Sequence, residues 1–169
     1  MSKIYNVLFL CTGNSARSVL AEAYVNARLS DRFHAYSAGS HPNGKVNPHA
    51  LALLQSVGFS TEGLRSKSWD EFAMPGAPRM DFVFTVCDNA AGEVCPIWPG
   101  QPMSAHWPFE DPAAYVGPDE AIKKKFLEVF SQIRRRIDLF GSLPLASLDS
   151  MAIKKKLDDL GRGEPNHAG

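Results

Sequence analysis

The chain has 169 residues, room for one domain at roughly 150 residues each. Eighteen Lys and Arg balance eighteen Asp and Glu, so there is no positive excess to draw it to nucleic acid, and 44% hydrophobic residues exclude a disordered chain. The longest strongly apolar run near the N-terminus, Val7 to Cys11, is far short of the roughly 20 residues that span a bilayer and lacks a cleavage pattern, and the three cysteines form no C-x-x-C pair. These features predict a cytoplasmic protein with reduced thiols, no structural zinc, and neither nucleic acid nor a membrane as partner.

Lys3 to Leu10 is rich in aliphatic and aromatic residues with one polar interruption, as in a strand buried on both faces. A helix follows from about Ser18 to Leu29, with Leu20, Ala23, Tyr24 and Ala27 on one face. Phe33 to Ser37 reads as extended and Asn43 to Val46 as loop. Asn47-Pro48 caps a helix over Ala50 to Val57 that Gly58 closes. A short helix fits Ser68 to Phe72, and a loop runs through Pro75, Gly76 and Pro78. Asp81 to Val86 is the next buried strand, Cys87 to Gly100 a loop, and Ala105 to Trp107 a short last strand.

The strongest helical period comes next: Ile122, Phe126, Phe130, Ile133, Ile137 and Phe140 recur by threes and fours. The neighbouring runs Lys123 to Lys125 and Arg134 to Arg136 read as solvated faces. Leu143 to Leu160 predicts a last amphipathic helix and Gly161 to Gly169 a frayed tail. Strands alternating with helices indicate an α/β fold, a mainly parallel sheet with helices on both faces and its ligand site beyond the carboxyl ends of the strands.

At the end of the first strand stands Cys11-Thr12-Gly13-Asn14-Ser15-Ala16-Arg17-Ser18, and a helix starts at once. Loop N–H groups feeding a helix N-terminus point into one cavity, where the helix dipole adds positive potential. The five residues between Cys11 and Arg17 suffice to wrap a tetrahedral oxyanion, with the sulfur beneath and the guanidinium on two oxygens. Thr12, Gly13, Asn14, Ser15 and Ala16 supply that cradle, and Gly13 allows a tight turn. The same field lowers the thiol pKa and makes Cys11 a nucleophile, to which Ser18 can donate its hydroxyl. Asn14 reads as a brace for the loop.

The segment V-L-F-L-C-T-G-N-S-A-R-S, then Ala21-Glu22, Ser37-Ala38-Gly39 and Asp111-Pro112, resembles the low-molecular-weight protein tyrosine phosphatase superfamily, most closely its arsenate reductase branch. The resemblance covers roughly residues 1–140 as a phosphatase-like catalytic domain, leaving 141–169 as a C-terminal helical extension and tail on the same domain. It implies a four-stranded parallel sheet with the first strand central, Cys11 as nucleophile, Arg17 as oxyanion clamp and Asp111 as general acid.

Asp111 lies in H-W-P-F-E-D-P-A-A, whose prolines restrict the backbone. A carboxyl at the pocket edge can protonate the departing oxygen, whereas Asp-Pro elsewhere more often starts a turn. Glu110 is the second choice for the acid, and His106 reads as a structural or rim histidine. Cys87 ends a buried strand and should emerge at the same sheet edge as Cys11. Seven residues separate it from Cys95, a loop able to close into a disulfide if the Cα atoms come within about 7 Å; otherwise the two are bystander thiols.

The resemblance to thioredoxin-coupled reductases implies that Cys87 attacks the arsenylated Cys11 and Cys95 resolves the resulting disulfide. It further implies arsenate or a phosphate-like oxyanion as ligand, no tightly bound cofactor, and an external thiol reductant, thioredoxin or glutaredoxin with glutathione. Two departures stand out: the Cys87 to Cys95 spacing is one residue longer than the best-known pattern, and Ala16 replaces a cysteine common in the family's loop. Some relatives bind a monovalent cation beside the loop, and Asn14, Glu22, Ser37 and Asp70 are the matching candidates. The rival enzyme reading is a tyrosine phosphatase hydrolysing a Cys11 thiophosphate, but Ala113-Ala114 stand where that branch usually carries aromatic residues. An oxyanion sensor without turnover is the non-enzymatic alternative.

Overall fold

A computed structural model describes residues 3–86 and 102–162 of the chain. Strands β1 (Tyr5–Leu10), β2 (Phe33–Ala38), β3 (Phe82–Thr85) and β4 (Met103–His106) form one parallel sheet in the order β2-β1-β3-β4. The first strand is central, as the resemblance implies. Its side chains alternate between two buried faces, Val7 and Phe9 on one and Leu8 and Leu10 on the other, which explains the unbroken apolar run.

The Val7–Phe9 face carries the main core, to which helices α1 (Arg17–Arg28), α2 (Pro48–Ser56), α3 (Asp119–Gly141) and α4 (Ser150–Gly161) all contribute. Leu20 and Tyr24 come from α1, Leu54 from α2, Phe130 from α3 and Leu157 from α4. On the Leu8–Leu10 face the described cover is a 3-10 turn, Trp69–Phe72, together with Met80. Asn47 caps α2 as its sequence predicts, its side chain accepting from the His49 amide at 2.8 Å with Pro48 in the first turn.

Three predicted boundaries need correction. The last strand runs Met103–His106, starting two residues and ending one residue before the expected Ala105 to Trp107. The single helix expected over Leu143 to Leu160 is broken: a 3-10 turn, Leu145–Ser147, follows Pro144, and α4 starts afresh where Asp149 accepts from the Ala152 amide at 2.8 Å. Proline lacks the amide that a helix interior needs, and a capping aspartate opens a new helix. Gly161, assigned to the tail, ends α4, and a Cβ there would run into the His106 carbonyl and the Trp107 ring.

Both outer strands are met by helix side chains. Asn26 of α1 brackets Ala35 of β2, donating to its carbonyl at 3.0 Å and accepting from its amide at 2.8 Å. Across the sheet, Lys154 of α4 donates to the Ser104 carbonyl of β4 at 2.5 Å, and the Trp107 indole donates to Leu157 O at 2.9 Å. Among the described residues no helix is long and apolar enough to cross a membrane. Cys87, Cys95 and the tail beyond Arg162 lie outside the described residues.

Candidate active site

The parallel strands bring Cys11, Gly39, Val86 and Trp107 to one end of the sheet, each just beyond a strand's carboxyl end. There Cys11 and the backbone through Arg17 line a cavity of about 200 Å³, closed by Asn43, Asp111 and Ala113. A larger cleft of about 920 Å³ lies at the opposite end of the strands, between Tyr5, Phe82, Met103 and α4, and holds no nucleophilic thiol among its lining residues.

The loop keeps its shape through its carbonyls. Thr12 O accepts from the His41 amide at 2.9 Å, Gly13 O from the Asn43 amide at 2.9 Å and Ser15 O from the Asn47 amide at 2.8 Å. Ser66 Oγ adds a second bond to Gly13 O at 3.0 Å. These bonds hold the loop's carbonyl oxygens against the scaffold, and successive amides of a loop that feeds a helix can form a nest for an anion. No side chain caps the start of α1 and no acidic residue stands in its first turn, so the positive end of the helix faces the same space.

Gly13 acts differently from expectation, and Gly39 meets a constraint of its own. The left-handed residue of the loop is Asn14, at φ 46°, and not Gly13. Asparagine tolerates this region because its side chain bonds locally. Gly13 leaves room for its neighbour, since a Cβ there would lie 3.1 Å from the Asn43 side-chain carboxamide, which would have to shift to admit it. Gly39 is more constrained: a Cβ would collide with the Thr12 carbonyl and come within 2.5 Å of Cys11 O, which accounts for the Ser37-Ala38-Gly39 segment.

Behind the loop Asn14 is fully buried and spends its amide on three neighbours. It donates to Ser18 Oγ at 2.8 Å and Ser37 Oγ at 3.0 Å, and accepts from the Lys67 amide at 2.8 Å. Ser18, by accepting from Asn14, keeps its own hydroxyl proton to donate. Ser37 Oγ donates to Glu22 Oε1 at 2.5 Å. The expected cation cluster is therefore only partly assembled: Asn14, Ser37 and Glu22 are linked, whereas Asp70 is exposed and its backbone amide bonds Ser68.

The positive charge beside Glu22 is a side chain, Lys67, with Nζ 3.7 Å from Glu22 Oε1. Burial pushes the Glu22 carboxyl up from its usual range, with Lys67 opposing, and pushes the Lys67 ammonium down, with Glu22 opposing. Sequence reasoning missed Lys67 because a lysine between two serines reads as surface.

Arg17 and Asp111 face each other across the cavity, Nη2 to Oδ2 at 3.5 Å. Arg17 Nη1 donates to the Phe109 carbonyl at 3.0 Å, fastening the loop that carries Asp111. Asp111 Oδ1 accepts from the Ala113 amide at 3.0 Å, so this aspartate also starts the turn that Asp-Pro suggests. Glu110 instead pairs with Lys125 at 3.2 Å, and His106 Nδ1 shares a 2.8 Å hydrogen bond with Thr85 Oγ1. Lys125 also sits over the Tyr115 ring, 5.5 Å from its centroid, and Tyr115 is not part of the cavity wall.

Residues 6–149 match the family described as low molecular weight phosphotyrosine protein phosphatase. The arsenate reductase of Halalkalibacterium halodurans is 38% identical over 134 residues, covering 79% of this chain and 93% of that protein. Among solved structures, an arsenate reductase in its phosphate-binding state gives a TM-score of 0.66 at 26% identity, covering 82% of this chain and 98% of that one. A thioredoxin-dependent arsenate reductase from Corynebacterium glutamicum gives 0.58 at 26% identity, covering 86% of this chain and 65% of that one.

Proposed function

Because the chain belongs to the low molecular weight phosphotyrosine protein phosphatase family, we propose that it uses the family's cysteine loop to reduce arsenate. The observation that carries this reading is the fit between relatives and cavity. The arsenate reductase of H. halodurans is 38% identical over nearly its full length, and the cavity over Cys11, walled by Ala113, is about 200 Å³, a size for a small inorganic oxyanion.

Arsenate is held by the loop amides and the Arg17 guanidinium. The Cys11 thiolate attacks arsenic, and Asp111 protonates the departing oxygen, which leaves as water. The Cys87 thiolate then attacks Cys11 sulfur. The S–As bond breaks, its electron pair stays on arsenic, and arsenite leaves as a Cys11–Cys87 disulfide forms. Cys95 attacks Cys87, freeing Cys11 and leaving a Cys87–Cys95 disulfide. An external thiol, thioredoxin or glutaredoxin with glutathione, restores both thiols, so the reaction belongs in a reducing compartment such as the cytoplasm and needs no resident cofactor.

The family's name favours one second reading, hydrolysis of a phosphate monoester through a Cys11 thiophosphate by the same Cys11, Arg17 and Asp111. A single-turnover arsenite assay with mass mapping of disulfides separates the two. Reduction by the relay leaves a Cys87–Cys95 bond after arsenate treatment, and Cys87→Ser stops at the Cys11 adduct while sparing aryl-phosphate hydrolysis. Normal thioredoxin-driven reduction by both Cys87→Ser and Cys95→Ser would rule out the relay, and absence of arsenate-dependent thiol consumption would leave the phosphatase.

A further inference from the structure

Arg136 projects from α3 onto Phe109, its guanidinium carbon 5.0 Å from the ring centroid. Nη1 is buried and has no hydrogen-bond partner among the described residues. A buried donor left unpaired is destabilising, and an aliphatic side chain would cover an aromatic ring without that penalty. Such an atom in a folded protein calls for an explanation. Nothing in the packing of α3 supplies one, since the helix meets the sheet through Phe126, Phe130, Ile133, Ile137 and Phe140.

The explanation lies in what Phe109 holds. Its amide donates to Val86 O at 3.1 Å, tying it to the end of β3. Its carbonyl accepts from Arg17 Nη1 at 3.0 Å, and two residues on, Asp111 Oδ2 is 3.5 Å from Arg17 Nη2. A tilt of this one peptide would therefore disturb the Arg17 guanidinium and the carboxyl opposite it together. The ring is the peptide's third attachment, itself 8% exposed. Arg136 is half-buried with Nη1 shut off from solvent, and a guanidinium over a ring face is attracted to it while its flat shape fixes the ring's tilt as an aliphatic chain does not.

We propose that Arg136 is a positioning residue of the anion site: by clamping the Phe109 ring it sets the Phe109 carbonyl, which aims Arg17 at the loop and at Asp111. The proposal rests on the reading of the Cys11 loop as an oxyanion site. Arg136 touches neither substrate nor nucleophile and acts only through Phe109.

The test uses the full chain with Arg136→Met, Arg136→Lys, Phe109→Leu and the Phe109→Leu/Arg136→Met double variant. Inorganic phosphate binding is measured by calorimetry, arsenate kinetics with a thiol reductant, and the Arg17 guanidinium by nitrogen-15 NMR without ligand. Arg136→Met should weaken phosphate about five- to tenfold and raise the arsenate KM similarly, with a smaller fall in kcat because Asp111 moves with the same peptide. It should broaden the Arg17 guanidinium signal, and Arg136→Lys should recover less than half of the loss.

The double variant should be no worse than the poorer single one, because both act through one contact. An unchanged Arg17 signal with phosphate affinity within twofold of the native chain, or full additivity in the double variant, would overturn the proposal. If the native chain binds no phosphate, the oxyanion reading falls, and the ligand-free Arg17 signal alone decides the positioning role.

Discussion

Lys67 Nζ lies 3.7 Å from Glu22 Oε1, and both side chains are withdrawn from solvent, at 7% and 13% exposure. Glu22 in turn accepts from Ser37, which accepts from Asn14, the left-handed residue of the Cys11 loop. The loop therefore rests on a buried ion pair, and removing either charge leaves the other without its ion-pair partner.

Lys67→Met should destabilise the fold by about 3–5 kcal/mol near neutral pH, the usual cost of breaking a buried pair from one side. The loss should shrink in acid. Glu22 already has a raised pKa, through burial first, and without Lys67 it rises further. A raised carboxyl stabilises the fold below its unfolded value, near 4.5, and that contribution is lost as pH rises through the folded value. Thermal melts of native and variant chains from about pH 4.5 to 8 check the sign; a gap that widens toward acid would contradict it.

Gly39→Ala should damage the anion site more than the fold. Its Cβ would meet two backbone oxygens of the Cys11 loop, and backbone yields less readily than a side chain. Overpacking of this kind costs about 1–3 kcal/mol. Phosphate affinity should drop by at least about tenfold, equivalent to 1.4 kcal/mol. Calorimetry beside a melting curve checks it, and full affinity in the variant would show that the contact is relieved elsewhere.

Asn14→Ala and Asn14→Gly separate two roles of one residue. Both remove the bonds to Ser18, Ser37 and the Lys67 amide. Only alanine adds the left-handed penalty, roughly 1–2 kcal/mol. Denaturant titrations should therefore rank the native chain above Asn14→Gly, and Asn14→Gly above Asn14→Ala by about 1 kcal/mol. Equal stability of the two variants would mean that φ at this position carries no strain.

Asp111→Asn keeps an oxygen for the Ala113 amide but cannot serve as an acid. Turnover should fall by about 10²–10⁴-fold while phosphate affinity stays within a few-fold. Steady-state kinetics with calorimetry decide it, and an unchanged rate would reduce Asp111 to the start of its 3-10 turn.

Much of this was legible from residue types. The alternation hidden in Val7 to Leu10 and the Asn47-Pro48 cap each report a local rule that the tertiary structure obeys, and the stretch from Cys11 to Arg17 lines one cavity. What escaped were relations between distant segments. Nothing about Lys67 marks it as buried, because its partner Glu22 is forty-five positions away. Phe109 and Arg136 are twenty-seven positions apart, and the room denied to a Cβ at Gly39 depends on a loop from another strand. Pro144 marks the break in the helix, although the apolar period of Leu143 to Leu160 runs across it.

The outer strands carry one last implication, for association rather than catalysis. A parallel sheet ordinarily presents two rows of unpaired amides and carbonyls, a template on which a foreign strand can assemble. Here the Asn26 carboxamide occupies both groups of Ala35, while the Lys154 ammonium takes the Ser104 carbonyl and Gly161 seals the His106 carbonyl. The stretch beyond residue 149, outside the family match, thus works as a selvedge on the β4 side. A chain cut before α4 would keep its Cys11 loop and expose a sticky hem.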